Sequence, residues 1–154
     1  MDEREVFSPL HADREIEFLK VAPSTTVWTP QNGFDFRLII PSTVYPPRED
    51  TDLLARRIIS FGPGRGRKFL EIGCGSGAVS ILAAHMGWKV SSCDINPFAV
   101  AATKGNMAES KLDAEIKEGG IGPEDFPFKG KFDMIVWNLP YIPHAEITEV
   151  LGPM

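Results

Sequence analysis

Three groups of residues in this chain have the types and spacing to do chemistry. The first is Glu71-Ile72-Gly73-Cys74-Gly75-Ser76-Gly77, where an apolar run reaches an acid and glycines follow at alternate positions. A turn of that composition lets backbone approach a ligand closely, because no side chain stands in the way. The second is Asp94, which follows Gly73 by 21 positions. That interval suits a carboxylate at the end of the next strand, where it meets the hydroxyls of a ribose. The third is Asn138-Leu139-Pro140-Tyr141. The Asn138 side-chain carbonyl and the Leu139 backbone carbonyl can accept two hydrogen bonds from a planar NH2 group. Tyr141 can stack on the same planar group, and Pro140 biases Leu139 toward extended backbone.

The glycine turn by itself does not choose a cofactor. Gly73, Gly75 and Ala78 fit the G-x-G-x-x-G/A fingerprint of dinucleotide sites. A nicotinamide dinucleotide and S-adenosylmethionine both carry a ribose diol for Asp94, and glycines at such a turn can also serve packing alone. Glu71 favours the second cofactor. A buried carboxylate is costly without polar partners and sits badly beside a pyrophosphate. It suits the ammonium and sulfonium of an aminoacyl nucleoside.

The elements that would hold these groups follow from periodicity. Thr25–Thr29 and Phe34–Ile40 are β-rich runs around Pro30-Gln31-Asn32-Gly33, which predicts a hairpin. Pro46-Pro47 precedes a helix from about Thr51 to Ile59, with acids first, arginines last, and a packing face of Leu53, Leu54, Arg57 and Ile58. A βαβα pattern comes next. The strands are Lys68–Ile72, Lys89–Cys93 ending at Asp94, Ala114–Lys117, and Phe132–Trp137 ending at Asn138. The helices run over Ala78–His85 and from Asn96-Pro97 to about Met107, with Asn96 as N-cap. Alternation of this kind predicts an α/β fold with a parallel sheet and right-handed crossovers. Residues 1–43 read as an extension carrying the hairpin, and 44–154 as the core.

Composition excludes several classes. The chain has 154 residues, 43% of them apolar and 24% charged, enough for one domain with a core of its own. No apolar run approaches a membrane span, and the charged start is unlike a secretory signal. With a net charge of −5 the chain is no general adhesive for nucleic acid. Two cysteines, Cys74 and Cys93, make neither a disulfide framework nor a CxxC metal pair. They are expected as small buried residues in a reducing cytoplasm, and no metal is expected. The basic stretch Arg56, Arg57, Arg65, Arg67 and Lys68 reads as a solvated face away from the cofactor edge. His144 reads as a surface residue, and Trp28 and Trp137 as core or hairpin packing.

Glu71 to Gly77, Asp94-Ile95-Asn96 and Asn138-Leu139-Pro140-Tyr141 together resemble the class I S-adenosylmethionine-dependent methyltransferases with an Asn-Pro-Pro-Tyr-type motif. Val44-Tyr45-Pro46-Pro47-Arg48-Glu49-Asp50-Thr51 resembles the segment before the core in the HemK-like glutamine methyltransferases and their adenine-N6 relatives. The resemblance covers roughly residues 44 to 143. It implies a Rossmann-like, doubly wound sheet of the class I methyltransferase type, here with strands 1–4, preceded by the hairpin and truncated after the fourth strand. It implies methyl transfer to a planar nitrogen, either adenine N6 of RNA or DNA or a protein glutamine amide. Residue by residue, it implies that the backbone of Gly73, Cys74, Gly75 and Gly77 cradles the methionine part of S-adenosylmethionine. Glu71 would orient the amino group, Asp94 would bind the ribose, and Ile95 would pack on adenine. Pro47, Arg48 and Thr51 would close over the methionine end. Asn138, Leu139, Pro140 and Tyr141 would hold the acceptor. Two departures bear on specificity. Leu139 stands where the family usually has proline, and Gly119-Gly120 lies where many relatives have an aspartate facing adenine. The fourth strand is expected as an unpaired edge open to self-association. The alternatives are an NAD-type oxidoreductase and a non-catalytic cofactor-binding module.

Overall fold

A computed structural model describes residues 23–139. The acidic arm before this range and Pro140, Tyr141 and His144 after it lie outside the described residues. Strands β1 (Ser24–Gln31) and β2 (Phe34–Ile40) form the expected hairpin, an antiparallel pair with Trp28 opposite Phe36. The turn is Asn32-Gly33, and Gly33 takes φ +89°, where a side chain is disfavoured. Period-two alternation sends Phe36, Leu38 and Ile40 inward.

Helix α1 (Glu49–Ser60) carries Glu49, Asp50 and Asp52 in its first turn and Arg57 in its last, matching the helix dipole at both ends. Its packing face differs from the expected one. Ala55 and Ile58 are buried with Leu54 and Ile59 beside them, whereas Leu53 is exposed and Arg57 lies over the Phe61 ring at 4.8 Å. Leu53 and Ala55 are two residues apart, roughly 200° around the helix. Once Ala55 faces the core, Leu53 must face out. Two bonds fasten α1 to the hairpin. Trp28 Nε1 donates to Asp52 Oδ1 at 2.7 Å, and Arg56 Nε donates to the Pro30 carbonyl at 3.1 Å.

Four parallel strands make the second sheet: β3 (Lys68–Ile72), β4 (Lys89–Asp94), β5 (Ala114–Glu118) and β6 (Met134–Trp137). Their order is β5-β4-β3-β6. Helix α2 (Ala78–His85) connects β3 to β4, and α3 (Pro97–Glu109) connects β4 to β5. Right-handed crossovers advancing in one direction put both helices on one face of the sheet. There, Phe69, Val90, Ile116, Ile81 and Leu82 join the inward hairpin residues in one cluster. The opposite face carries a smaller cluster of Leu70, Cys93 and Phe128 with Phe126 and Phe132 against it. Strand β6 begins two residues later than expected. Phe132 turns away to meet Phe128 edge-on at 6.4 Å, and Asp133 closes a loop onto Lys68 through bonds of 2.7 and 2.8 Å.

The basic stretch is exposed, as expected, and some of its side chains also make contacts within the fold. Arg67 lies over the Trp88 ring at 4.4 Å and donates to the Gly64 and Pro63 carbonyls, and Arg56 ties α1 to β1. Trp28 packs in the core as expected, but Trp137 does not, being 43% exposed.

Asn106 of α3 joins the two sheets. Its side chain is 1% exposed. Oδ1 accepts the Ile39 N–H at 2.8 Å, and Nδ2 donates to the Ile39 carbonyl at 2.9 Å and the Ser76 carbonyl at 2.8 Å. The carboxamide thus pairs with β2 as a neighbouring strand's peptide would, and it also reaches the glycine turn. Asn106→Leu is expected to lower stability by about 2–4 kcal/mol, because it leaves three backbone groups without a protein partner. Urea denaturation measures this. A change below about 0.5 kcal/mol, the size of an ordinary surface substitution, would show that the bridge carries no weight.

Candidate functional site

The glycine turn leaves β3 at the C-terminal edge of the parallel sheet. Gly73, Gly75 and Gly77 have φ of +72°, +55° and +87°, and the three serve different ends. A Cβ at Gly75 would meet nothing within 4 Å, so this is where a ligand can lie against backbone. A Cβ at Gly77 would lie 2.9 Å from the Thr103 side chain, so this glycine lets α3 approach the turn. A Cβ at Gly73 would stand 3.7 Å from the Trp137 indole. The turn is anchored by the Gly73 and Cys74 N–H groups on the Cys93 carbonyl at 2.8 and 3.1 Å. The Thr103 hydroxyl donates to the Gly75 carbonyl at 3.0 Å and lies 3.3 Å from Cys74 Sγ. Burial first, then the nearby Glu71 charge, pushes the Cys74 thiol up to about 12. Cys74 therefore has only its backbone to offer a ligand.

Asp94 faces this turn from the end of β4. Its Oδ2 accepts the Gly75 N–H at 3.0 Å and its Oδ1 accepts the Asn96 N–H at 2.9 Å. Each oxygen of a carboxylate has a second lone pair, so two hydroxyl donors can still be accepted. Asn96 caps α3 as expected, accepting the Phe98 N–H at 3.0 Å. Ile95, between them, is 77% exposed. Beside it, Gly119 donates to the Asp94 carbonyl at 3.0 Å and Gly120 to the Asp125 carbonyl at 3.1 Å. A Cβ at Gly119 would strike the Asp125 carbonyl at 2.4 Å. The Gly119-Gly120 segment therefore presents bare backbone beside Ile95.

Glu71 lies behind the turn, 3% exposed. The Ser80 hydroxyl in the first turn of α2 lies 2.8 Å from Oε1, to which it can donate, and 2.5 Å from the Ser92 hydroxyl. Burial pushes the Glu71 carboxyl up to about 8, against the opposing pull of the Ser80 hydroxyl and N–H, with the Asp94 charge adding to the rise. The polar partner of this buried acid is thus Ser80, itself paired with Ser92, and the sequence reading singled out neither serine.

Asn138 follows β6, and its Nδ2 donates to Asp50 Oδ2 in the first turn of α1 at 3.1 Å. The structure thereby brings the first turn of α1 to Asn138 at the end of β6. Thr51 Oγ1 accepts the Arg48 N–H at 3.2 Å, capping its own helix. Pro47 lines a cavity of about 470 Å³ with Pro46, Asp52 and strand β1. Leu139 is exposed. Among the described residues no group of acids, histidines and cysteines could hold a metal ion, and no helix is long and apolar enough to cross a membrane. Sequence reading missed Asp50, Ser80, Ser92, Thr103 and Asn106. Asp50 was legible only as an acid in a first helical turn, with nothing to link it to a residue 88 positions away.

Comparison with known proteins fits this geometry. The family model described as a methyltransferase domain matches residues 69–154. A protein of Methanocaldococcus jannaschii, provisionally named protein N5-glutamine methyltransferase, is 34% identical over 115 residues, which are 74% of this chain and 55% of that one. The ribosomal RNA small subunit methyltransferase C of Alcanivorax borkumensis is 31% identical over 100 residues, 65% of this chain and 30% of that one. The chain therefore spans about half, or less, of the curated relatives it matches. Among solved structures, the T. thermophilus 16S rRNA methyltransferase in complex with AdoMet and guanosine aligns with a TM-score of 0.67 at 21% identity. That alignment covers 82% of this chain and 35% of that one, and shows the shared fold. With the family model matching more than half of its residues, the chain belongs to the methyltransferase-domain family, in its class I, S-adenosylmethionine-dependent form.

Proposed function

We propose that this chain binds S-adenosylmethionine over the Gly73–Gly77 turn and transfers its methyl group to a planar nitrogen held at Asn138. One observation carries the reading. Ile72 and Trp137 are register partners in adjacent strands, so Gly73 and Asn138 leave the sheet side by side. Neighbouring strands are about 4.8 Å apart. A cofactor on the turn and an acceptor at Asn138 would then be neighbours by construction of the sheet.

The residues present fit the cofactor. Gly75 leaves open space over exposed backbone, and Asp94 keeps lone pairs for the two ribose hydroxyls. Ile95 offers an apolar side to the adenine, with the Gly119-Gly120 backbone beside it. Burial keeps the Glu71 carboxyl behind the turn protonated up to about pH 8 in the ligand-free chain, and a cation in front of it would favour its ionised form. Pro47, Arg48 and Thr51 would close over the methionine end. S-adenosylmethionine supplies an electrophilic methyl group, leaving S-adenosylhomocysteine and a nitrogen with one proton to lose to water. The chain's own part is positioning, with the Asn138 Oδ1 and the Leu139 carbonyl accepting the acceptor's N–H groups. Holding reactants in this way accounts for large rate gains without a strong base.

A protein glutamine amide is the leading acceptor, supported by the identity to the N5-glutamine relative. An amino group of an RNA base is the second reading, supported by the ribosomal RNA relative. Incubation with labelled S-adenosylmethionine and cell extract decides between them: label released by protease supports glutamine, and label released by nuclease supports RNA. Competition by NADH for the same site would support the oxidoreductase instead. Cofactor binding without transfer, even in a longer form of the protein, would leave a binding module.

Asp94→Ala is expected to weaken S-adenosylhomocysteine binding about 10- to 100-fold in calorimetry, the cost of losing charge-assisted hydrogen bonds. Asn138→Ala is expected to keep that affinity and lower transfer by about 10²–10³-fold. Both changes acting only through unfolding would refute the site. Glu71 gives a pH dependence. Its folded value of about 8 stands above the ordinary 4.5, so the folded state holds the proton more tightly. The resulting stability is complete below pH 4.5 and is lost as pH rises through 8. Melting curves of the ligand-free chain should fall across that window, and Glu71→Gln should flatten them. Equal slopes in both proteins would contradict the assignment.

A further inference from the structure

We infer that Asp50 is a positioning residue that fixes the orientation of the Asn138 carboxamide and thereby restricts the acceptor to groups that present an N–H donor. The inference rests on the transfer reading above. A carboxamide has nearly the same shape in its two flipped orientations, and only its partners choose between them. Here the partner is a carboxylate, which when ionised accepts hydrogen bonds and cannot donate them. Asn138 Nδ2 lies 3.1 Å from Asp50 Oδ2. The flipped form would set the Asn138 oxygen against that carboxylate, two acceptors in contact. The acid at position 50 therefore turns Asn138 Oδ1 away from α1.

An oxygen held that way accepts an N–H and opposes a carbonyl or a phosphate oxygen. A glutamine NH2 or the exocyclic amine of a base satisfies it; an acceptor without a donor does not. Asp50 itself has little freedom to swing. It sits in the first turn of α1, whose next residues are fastened to the hairpin through Trp28 Nε1 on Asp52 at 2.7 Å and Arg56 on the Pro30 carbonyl at 3.1 Å. The selection is thus built from an element that precedes the parallel sheet in the chain.

Asp50→Asn tests this, because asparagine has similar size but offers both donor and acceptor and so permits either orientation. Glu49→Gln in the same turn removes the same charge from an exposed side chain and is the control. Asp50→Glu keeps an acceptor-only partner. The side-chain NH2 signals of Asn138 in the 15N-labelled 154-residue chain, assigned by their loss in Asn138→Ala, report the pairing without any turnover. Asp50→Asn is expected to shift or broaden those signals and to lower transfer ~10-fold or more, with S-adenosylhomocysteine affinity within twofold of the parent. Glu49→Gln is expected to change neither, and Asp50→Glu to restore part of the rate. Unmoved Asn138 signals in Asp50→Asn would overturn the inference, as would an equal effect of Glu49→Gln. Should the parent chain transfer no methyl group while Asp50→Asn still moves the Asn138 signals, the orienting bond stands and the transfer reading fails.

Discussion

The side chain of Asn106 is the constraint on which the rest of this structure depends. A helix residue pairs with the edge of a separate hairpin as if it were strand backbone, while its remaining N–H reaches the glycine turn. Apart from that bridge, the hairpin meets the parallel sheet through polar bonds relayed by α1 and through apolar packing, which presses surfaces together without fixing their register. A fully satisfied carboxamide in a buried setting fixes it, because any slip strands polar groups away from water. The hairpin then presents β1 to α1, and α1 brings Asp50 to Asn138. The relation between the glycine turn and Asn138 is set from both sides of the molecule.

The site divides into a rigid half and an adjustable half. The turn is closed by Cys93, Asp94, Thr103 and Asn106, so its backbone has few alternatives. Thr103 crowds Gly77 so closely that α3 and the turn must move together. At the end of β6, Asn138 is held by a side-chain bond to α1, and Leu139 beside it is exposed. The glycine turn is thus held by more side-chain and backbone bonds than Asn138 is.

Much of this was legible before the fold was known. Lys68–Ile72 and Ala78–His85 appear as expected because their signals are local: an apolar run, glycines where φ must be positive, and an apolar helix behind them. Asn96 capped its helix for the same reason. The packing face of α1 was not legible, since Leu53 and Ala55 are both acceptable core residues and only the position of β1 and α2 selects one. Nor was the early departure of Phe132 from β6, which depends on an aromatic cluster formed with Phe128. Trp137 could be placed on a strand but not on Gly73. What sequence reading lacked was long-range pairing, and the functional residues it overlooked, from Asp50 to Asn106, all act through such pairs.

The distance in sequence between Ile39 and Asn106 has a consequence for how the protein is made. A two-stranded hairpin alone is marginally stable in water. This one is completed by a residue 67 positions further on. At ribosomal rates of 5–20 residues per second, roughly 3–13 s separate the synthesis of the two. During that interval Phe36, Leu38 and Ile40, all destined for the core, have no permanent cover. Until α3 has been synthesised, the hairpin lacks the Asn106 carboxamide that its outer edge pairs with in the finished fold.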